Sequence, residues 1–178
     1  MREWDASFVK APKGAGEPIL YLDFDGVLHH EAVYLSPSKG PYLKAEHRSC
    51  GHVLFQHAPL LVEMLDPYPA VKIVLSTSWV RTYGCYGAAK RLPPALRKRV
   101  IGATFHSRMR EDAFIDQPRG VQVRNDVRRR QPRAWLALDD DWVGWPTDCL
   151  DNFVRTDEVL GISDPDVLAR FAEKLSSL

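Results

Sequence analysis

Ile19-Leu20-Tyr21-Leu22-Asp23-Phe24-Asp25-Gly26 is a short apolar run that stops at an acid, with a second acid two residues on and a glycine behind it. Such a run has no polar face, so it suits a strand covered on both sides, as in a parallel sheet. Similar runs recur at Val71-Lys72-Ile73-Val74-Leu75, Val100-Ile101-Gly102-Ala103, Ala134-Trp135-Leu136-Ala137-Leu138 and Asn152-Phe153-Val154-Arg155. Helical patterns lie between them. Leu60, Leu61, Met64 and Leu65 share one helix face. Gly87 to Lys98 is a weaker helix, interrupted by Pro93 and Pro94. Gly120 to Arg130 puts Val123 and Val127 one turn apart, and a last helix opens with Asp164 as N-cap and Pro165 as its first residue. Val167, Leu168, Phe171 and Leu175 line one side of it. Alternating strands and helices predict an α/β fold, an open parallel sheet with right-handed crossovers and helices on both faces.

The chain has 178 residues, enough for one domain with a real core. It is 45% apolar and 26% charged, and 24 Lys and Arg against 23 Asp and Glu leave a net charge of +1. No bulk field therefore draws it to nucleic acid or membrane. No apolar run approaches the length of a membrane span, and Met1-Arg2-Glu3-Trp4-Asp5 does not read as a secretory signal. Three cysteines at unrelated spacings argue against a disulfide framework, so the expectation is a cytoplasmic protein with reduced thiols. Residues 1–17 read as a loose leader, and 18–28 with 57–178 as the core. The stretch 29–56, rich in His, Gly, Pro and Tyr, is long for a loop and reads as a small cap or flap over a site.

In open α/β sheets ligands bind outside the carboxyl ends of the strands. Here the ends carry Asp23-Phe24-Asp25-Gly26, Ser76-Thr77-Ser78 and Asp139-Asp140-Asp141. Carboxylates crowded at one edge need a cation, and an all-oxygen donor set selects a hard one, usually Mg²⁺. A metal held by carboxylates beside small hydroxyl donors suits a phosphate group. Two aspartates spaced by one residue can divide the work of nucleophile and proton shuttle.

These residues resemble the haloacid dehalogenase (HAD) superfamily of aspartate-nucleophile phosphatases. Asp23-Phe24-Asp25-Gly26-Val27-Leu28 is similar to its first motif, Ile73-Val74-Leu75-Ser76 to its second, and Leu136-Ala137-Leu138-Asp139-Asp140 to its fourth. The closing strand and turn look like Asn152 to Asp157 with Gly161. The third motif, a cation that steadies phosphate and nucleophile, is best matched by Arg119, with Arg124 as runner-up. The resemblance implies a HAD-like Rossmannoid fold and a Mg²⁺-dependent phosphatase or phosphotransferase. It implies Asp23 as nucleophile and metal ligand, and Asp25 as acid/base with its carbonyl on the metal. It further implies Ser76 on the phosphoryl oxygens and Asp139 or Asp140 completing the metal shell. Gly26, Thr77, Ser78, Arg124 and His29 are the further candidates for substrate contact. Within the superfamily the chain most resembles HAD domains attached to bacterial nucleic-acid repair proteins.

Other features carry weaker expectations. Arg119, Arg124, Arg128, Arg129, Arg130 and Arg133 could hold a polynucleotide backbone, although a solvated helix face is the favoured reading. A nucleic-acid end-processing phosphatase is thus the first alternative, and an inactive binding module the second. His47, Cys50, His52 and His57 could bind zinc, but their spacing fits no standard pattern. Trp79, Trp142 and Trp145 read as core or rim packing, and Asp141 as a surface acid.

Overall fold

Every residue of Pro18–Leu22 is buried, as its unbroken apolar run requires. This strand, β1, lies in the middle of a five-stranded sheet in a computed structural model that describes residues 11–38 and 40–178. The first ten residues of the expected leader lie outside the described residues. The other strands are β2 (Val33–Ser36), β3 (Gly40–Leu43), β4 (Lys72–Leu75), β5 (Val100–Ala103), β6 (Ala134–Asp139) and β7 (Phe153–Arg155). The helices are α1 (Ala45–Ser49), α2 (Ala58–Leu65), α3 (Trp79–Ala89), α4 (Pro94–Arg97), α5 (Glu111–Ile115), α6 (Arg119–Arg130) and α7 (Pro165–Leu175).

The main sheet runs β5-β4-β1-β6-β7, and each neighbouring pair is parallel. From β1 the chain moves outward through β4 to β5, then returns across β1 to β6 and β7. The direction of winding therefore reverses between β1 and β6, the position where open α/β sheets leave a crevice. Strand residues alternate between two cores. Leu20, Leu22, Ile73, Leu75 and Leu138 pack with Leu61 and Leu65 of α2 and Phe171 and Leu175 of α7. Ile19, Tyr21, Val74 and Ala137 pack instead with Val123 of α6, Trp145 and Cys149. Helices thus cover both faces, as the sequence predicts.

A buried polar network ties α6 to the sheet. Asp126 accepts from the Tyr21 hydroxyl at 3.1 Å and from Arg130 Nε at 2.6 Å, and it pairs with Arg129. Arg130 also donates to the carbonyls of Lys13 at 2.7 Å and Ala103 at 3.4 Å. Burial first, then the Asp126 carboxylate, push the Tyr21 phenol above its usual range, so it remains a donor. The described part of the leader is tied down as well, since Gly16 N–H donates to the Gln131 carbonyl at 3.0 Å. The Arg-rich stretch is therefore not one continuous basic face. Arg130 belongs to the interior, while Arg128, Arg129 and Arg133 are exposed.

The stretch from His29 to Gln56 holds more regular structure than its composition suggested. β2 and β3 form an antiparallel hairpin, and α1 follows. Each element is only four or five residues long, too short for a clear periodic signal. The helix expected from Gly87 instead starts at Trp79, breaks its helical geometry at Gly84, and stops before Pro93 and Pro94. Among the described residues no helix is long and apolar enough to cross a membrane. The three cysteines are free.

Replacing Asp126 with Ala leaves the Arg130 guanidinium buried without its counter-ion. Chemical denaturation should show a loss of about 3–5 kcal/mol; a loss below about 1 kcal/mol would mean that the network does not hold α6 in place.

Candidate active site

Two strand ladders continue past the strands and fix the site's backbone. Asp23 N–H donates to the Leu138 carbonyl at 3.1 Å, and Ser76 N–H to the Leu22 carbonyl at 2.8 Å. The acids that end β1 and β6 are thereby brought side by side at the winding reversal. Oxygens of Asp23, Asp139 and Asp140 all lie within 4.8 Å of one another, and the first two side chains are buried. Asp23 Oδ1 accepts from Phe24 N–H at 2.7 Å, and the Thr77 hydroxyl also bonds this carboxylate.

Arg119, the first residue of α6, is the counter-ion. Its Nη2 donates to Asp23 Oδ2 at 3.3 Å, its Nε lies 3.3 Å from Asp139 Oδ2, and its Nη1 donates to the Ser76 carbonyl at 2.6 Å. A cation at a helix N-terminus opposes the helix dipole, so here the acids outweigh it. Burial works against the Arg119 charge, but Asp23 and Asp139 dominate and raise its pKa. Burial lifts Asp23 above the usual carboxylate range, with Arg119 pulling the other way. Burial and then Asp23 hold Asp139 well above that range. Asp140 is pushed up to about 7, chiefly by burial and then by Asp23.

Three carboxylates against one guanidinium leave two negative charges unbalanced when all are ionised. The donor set is oxygen only, which fits a hard divalent ion such as Mg²⁺. The backbone is shaped around these carboxylates. Gly26 has φ +64°, and a Cβ there would lie 2.4 Å from Asp140 Cγ. The Gly26 carbonyl is pinned by the Thr156 hydroxyl, which donates to it at 2.6 Å from the end of β7.

Asp25 stands apart from this cluster. Trp79 Nε1 donates to its Oδ1 at 2.9 Å and its Oδ2 at 3.0 Å, and His29 Nε2 lies 3.0 Å from Oδ1. Phe55 N–H donates to His29 Nδ1 at 3.2 Å, so the imidazole proton sits on Nε2 and points at Asp25. Asp25 lines a cleft of about 160 Å³ with Tyr34, Pro41, Trp79, Arg81 and Tyr83. A second cleft of about 400 Å³ is lined by Thr77, Ser78, Arg81, Gln117, Arg119 and Asp141.

Most residues singled out by sequence converge here: Asp23, Asp25, Gly26, Ser76, Thr77, Ser78, Arg119, Asp139 and Asp140. Ser76 Oγ is buried and has no hydrogen-bond partner among the described residues, which leaves a donor unspent at the end of β4. Arg124 is not brought there; it sits on another side of α6, its Nη1 3.4 Å from Asp148. His29, expected as a substrate contact, is not at an accessible surface, because its side chain is wholly buried behind Asp25. Asp141 is exposed. His30 packs its ring 4.4 Å from that of His47 and 5.0 Å from that of His52, while Cys50 is exposed. Among the described residues, Asp23, Asp139 and Asp140 are the one group of three or more His, Cys, Asp or Glu whose ligand atoms converge, so the zinc alternative finds no ready ligand set. Sequence reasoning missed Trp79 and Thr156 as parts of the site. A Trp three residues past Ser76 looks like packing, and only the fold turns its indole N–H toward Asp25.

Without a divalent cation the raised Asp140 carboxylate sets a pH dependence. The unfolded aspartate ionises in its usual range, whereas the folded one keeps its proton up to about 7. Its contribution to stability is therefore present at low pH and lost as pH rises through 7. The melting temperature in chelator should fall from about pH 5 to about pH 8, and Mg²⁺ should restore it most at the alkaline end; a flat profile would contradict this. Gly26→Ala should weaken Mg²⁺ binding by about 10–100-fold in calorimetric titration, and parental affinity would contradict the close packing of Asp140.

No curated protein and no solved structure matches the chain significantly. A family model described as the HAD domain in Swiss Army Knife RNA repair proteins matches residues 19–167, from β1 into α7. With that match over most of its length, and with its strand-end acids gathered at the β1–β6 crevice, the chain belongs to the HAD superfamily of hydrolases, in the family of HAD domains found in Swiss Army Knife RNA repair proteins.

Proposed function

We propose that the protein is a Mg²⁺-dependent phosphatase that hydrolyses a phosphate monoester through an aspartyl-phosphate on Asp23. The observation that carries this reading is the separation of the two motif aspartates. Asp23 joins Asp139 and Asp140 in one cluster, whereas Asp25 is held outside it and faces a cleft. In this reading Asp23 serves the phosphorus and Asp25 the leaving group.

Asp23, Asp139 and Asp140, with the Asp25 carbonyl, would hold Mg²⁺, which would neutralise the carboxylates and polarise a phosphoryl group. The remaining work falls to side chains. An Asp23 oxygen attacks phosphorus, forming the O–P bond as the ester P–O bond breaks. Asp25 gives its proton to the departing oxygen. Asp25 then takes a proton from water as that water attacks phosphorus, and the Asp23 carboxylate is released with phosphate. Arg119 holds Asp23 in line, and the free Ser76 hydroxyl is available to a phosphoryl oxygen. In this reading residues 29–56, with the β2–β3 hairpin, form a small cap beside the leaving-group cleft. A cap of this size leaves room for a large or exposed phosphate.

A phosphorylated nucleic-acid end is the second reading for the substrate. It is supported by the family description, which names RNA repair proteins, and by Arg81, which lines both clefts. Comparing 3′-phosphorylated oligonucleotides with sugar phosphates separates the two substrate classes.

Asp23→Asn should cut turnover of an aryl phosphate by about 10³-fold or more while circular dichroism stays that of the parent. Retained turnover would remove Asp23 as nucleophile. Absence of Mg²⁺-dependent phosphate release from the parent, across sugar, nucleotide, protein and oligonucleotide phosphates, would favour an inactive binding module.

A further inference from the structure

We infer that Trp79 and His29 are positioning residues for the reaction, holding the Asp25 carboxylate toward the leaving-group cleft and away from the cation cluster. This rests on the phosphatase reading above. Asp25 is two residues from Asp23, on the same turn, and an unrestrained carboxylate there would be drawn to any cation held by Asp23, Asp139 and Asp140. A carboxylate on the cation could not serve the leaving oxygen. The division of labour between the two aspartates therefore needs something to keep Asp25 out.

The clamp accounts for both oxygens of Asp25. Oδ1 is met by Trp79 Nε1 and His29 Nε2, and Oδ2 by Trp79 Nε1. Neither donor is free to drift. The Trp79 ring is buried and packs edge-on against Phe24 at 5.8 Å and Phe55 at 5.3 Å. The His29 ring is wholly buried against Phe55 at 4.9 Å and Trp79 at 5.9 Å. Phe55 N–H occupies His29 Nδ1 and so keeps the proton on Nε2. Phe55 itself has φ +60°, a conformation that a bulky residue adopts only where its surroundings impose it. Strained backbone, tautomer and two aromatic planes thus converge on the orientation of one carboxylate. An arrangement that merely buried an acid would need none of this, since Asp25 keeps about a quarter of its side chain exposed (26%).

The leaving group provides the test. An aryl oxygen of low pKa departs without a proton, whereas an alkyl oxygen needs one from Asp25. In Trp79→Phe, which keeps an aromatic ring but loses the N–H, kcat/KM should fall about 30–100-fold on an alkyl phosphate. On 4-nitrophenyl phosphate it should fall less than about fivefold, so that dependence on leaving-group pKa steepens. His29→Phe should behave alike, and His29→Gln, which returns an N–H near the Nε2 position, should recover most of the alkyl-phosphate activity. Equal losses on both substrates, or no difference between His29→Phe and His29→Gln, would overturn the positioning role. If Trp79→Phe fails to fold, the two His29 variants carry the test alone. A parent enzyme that releases phosphate from neither substrate overturns the phosphatase reading itself, and this inference with it.

Discussion

Asp23 and Asp139 end neighbouring strands, both buried, both acidic, and Arg119 is the group through which they coexist. Two carboxylates this close repel strongly where water is excluded. Arg119 reaches both and also the carbonyl of Ser76, so one side chain joins the ends of β1, β4 and β6. It reaches them from the first residue of α6, and α6 is fixed to the sheet by the Asp126 network at its other end. The central constraint on the site is therefore electrostatic and is met by a helix whose two ends do different things. One end supplies a counter-ion; the other supplies an anchor.

Even so, the counter-ion is incomplete. With Asp140 added, the cluster holds more negative charge than Arg119 can balance; burial first, and then the neighbouring Asp23 charge, make Asp139 and Asp140 hold their protons to higher pH. Gly26 and Thr156 preserve the crowding, the first by leaving room for Asp140 and the second by pinning the turn. Asp25 escapes the same crowding because Trp79 and His29 hold it elsewhere. The site thus consists of one carboxylate group that calls for a cation and one carboxylate kept from it.

Much of this was legible in the residues. A strand buried on both faces cannot hide its apolar continuity, so β1, β4, β5, β6 and β7 could be placed within a residue or two, along with the acids and hydroxyls at their ends. α7 announced itself through Asp164, whose carboxylate does accept from Asp166 N–H at 3.0 Å and Val167 N–H at 3.0 Å. The hairpin and α1 were not legible, because elements of four or five residues show little periodicity. The choice of Arg119 over Arg124 was suggested by position but decided by which side of α6 meets the strand ends. The roles of His29 and Trp79 could not be read, since both depend on contacts between segments far apart in the chain. An indole that donates a hydrogen bond and one that only packs are the same letter in a sequence.

The central claim, that Asp23 becomes phosphorylated, can be tested on the protein itself by trapping. Enzyme quenched during turnover with Mg²⁺ and a phosphate monoester, then reduced with borohydride, should carry homoserine in place of aspartate at position 23 when its peptides are sequenced by mass spectrometry. Reduction at another residue, or release of phosphate with Asp23 never modified, would contradict the account.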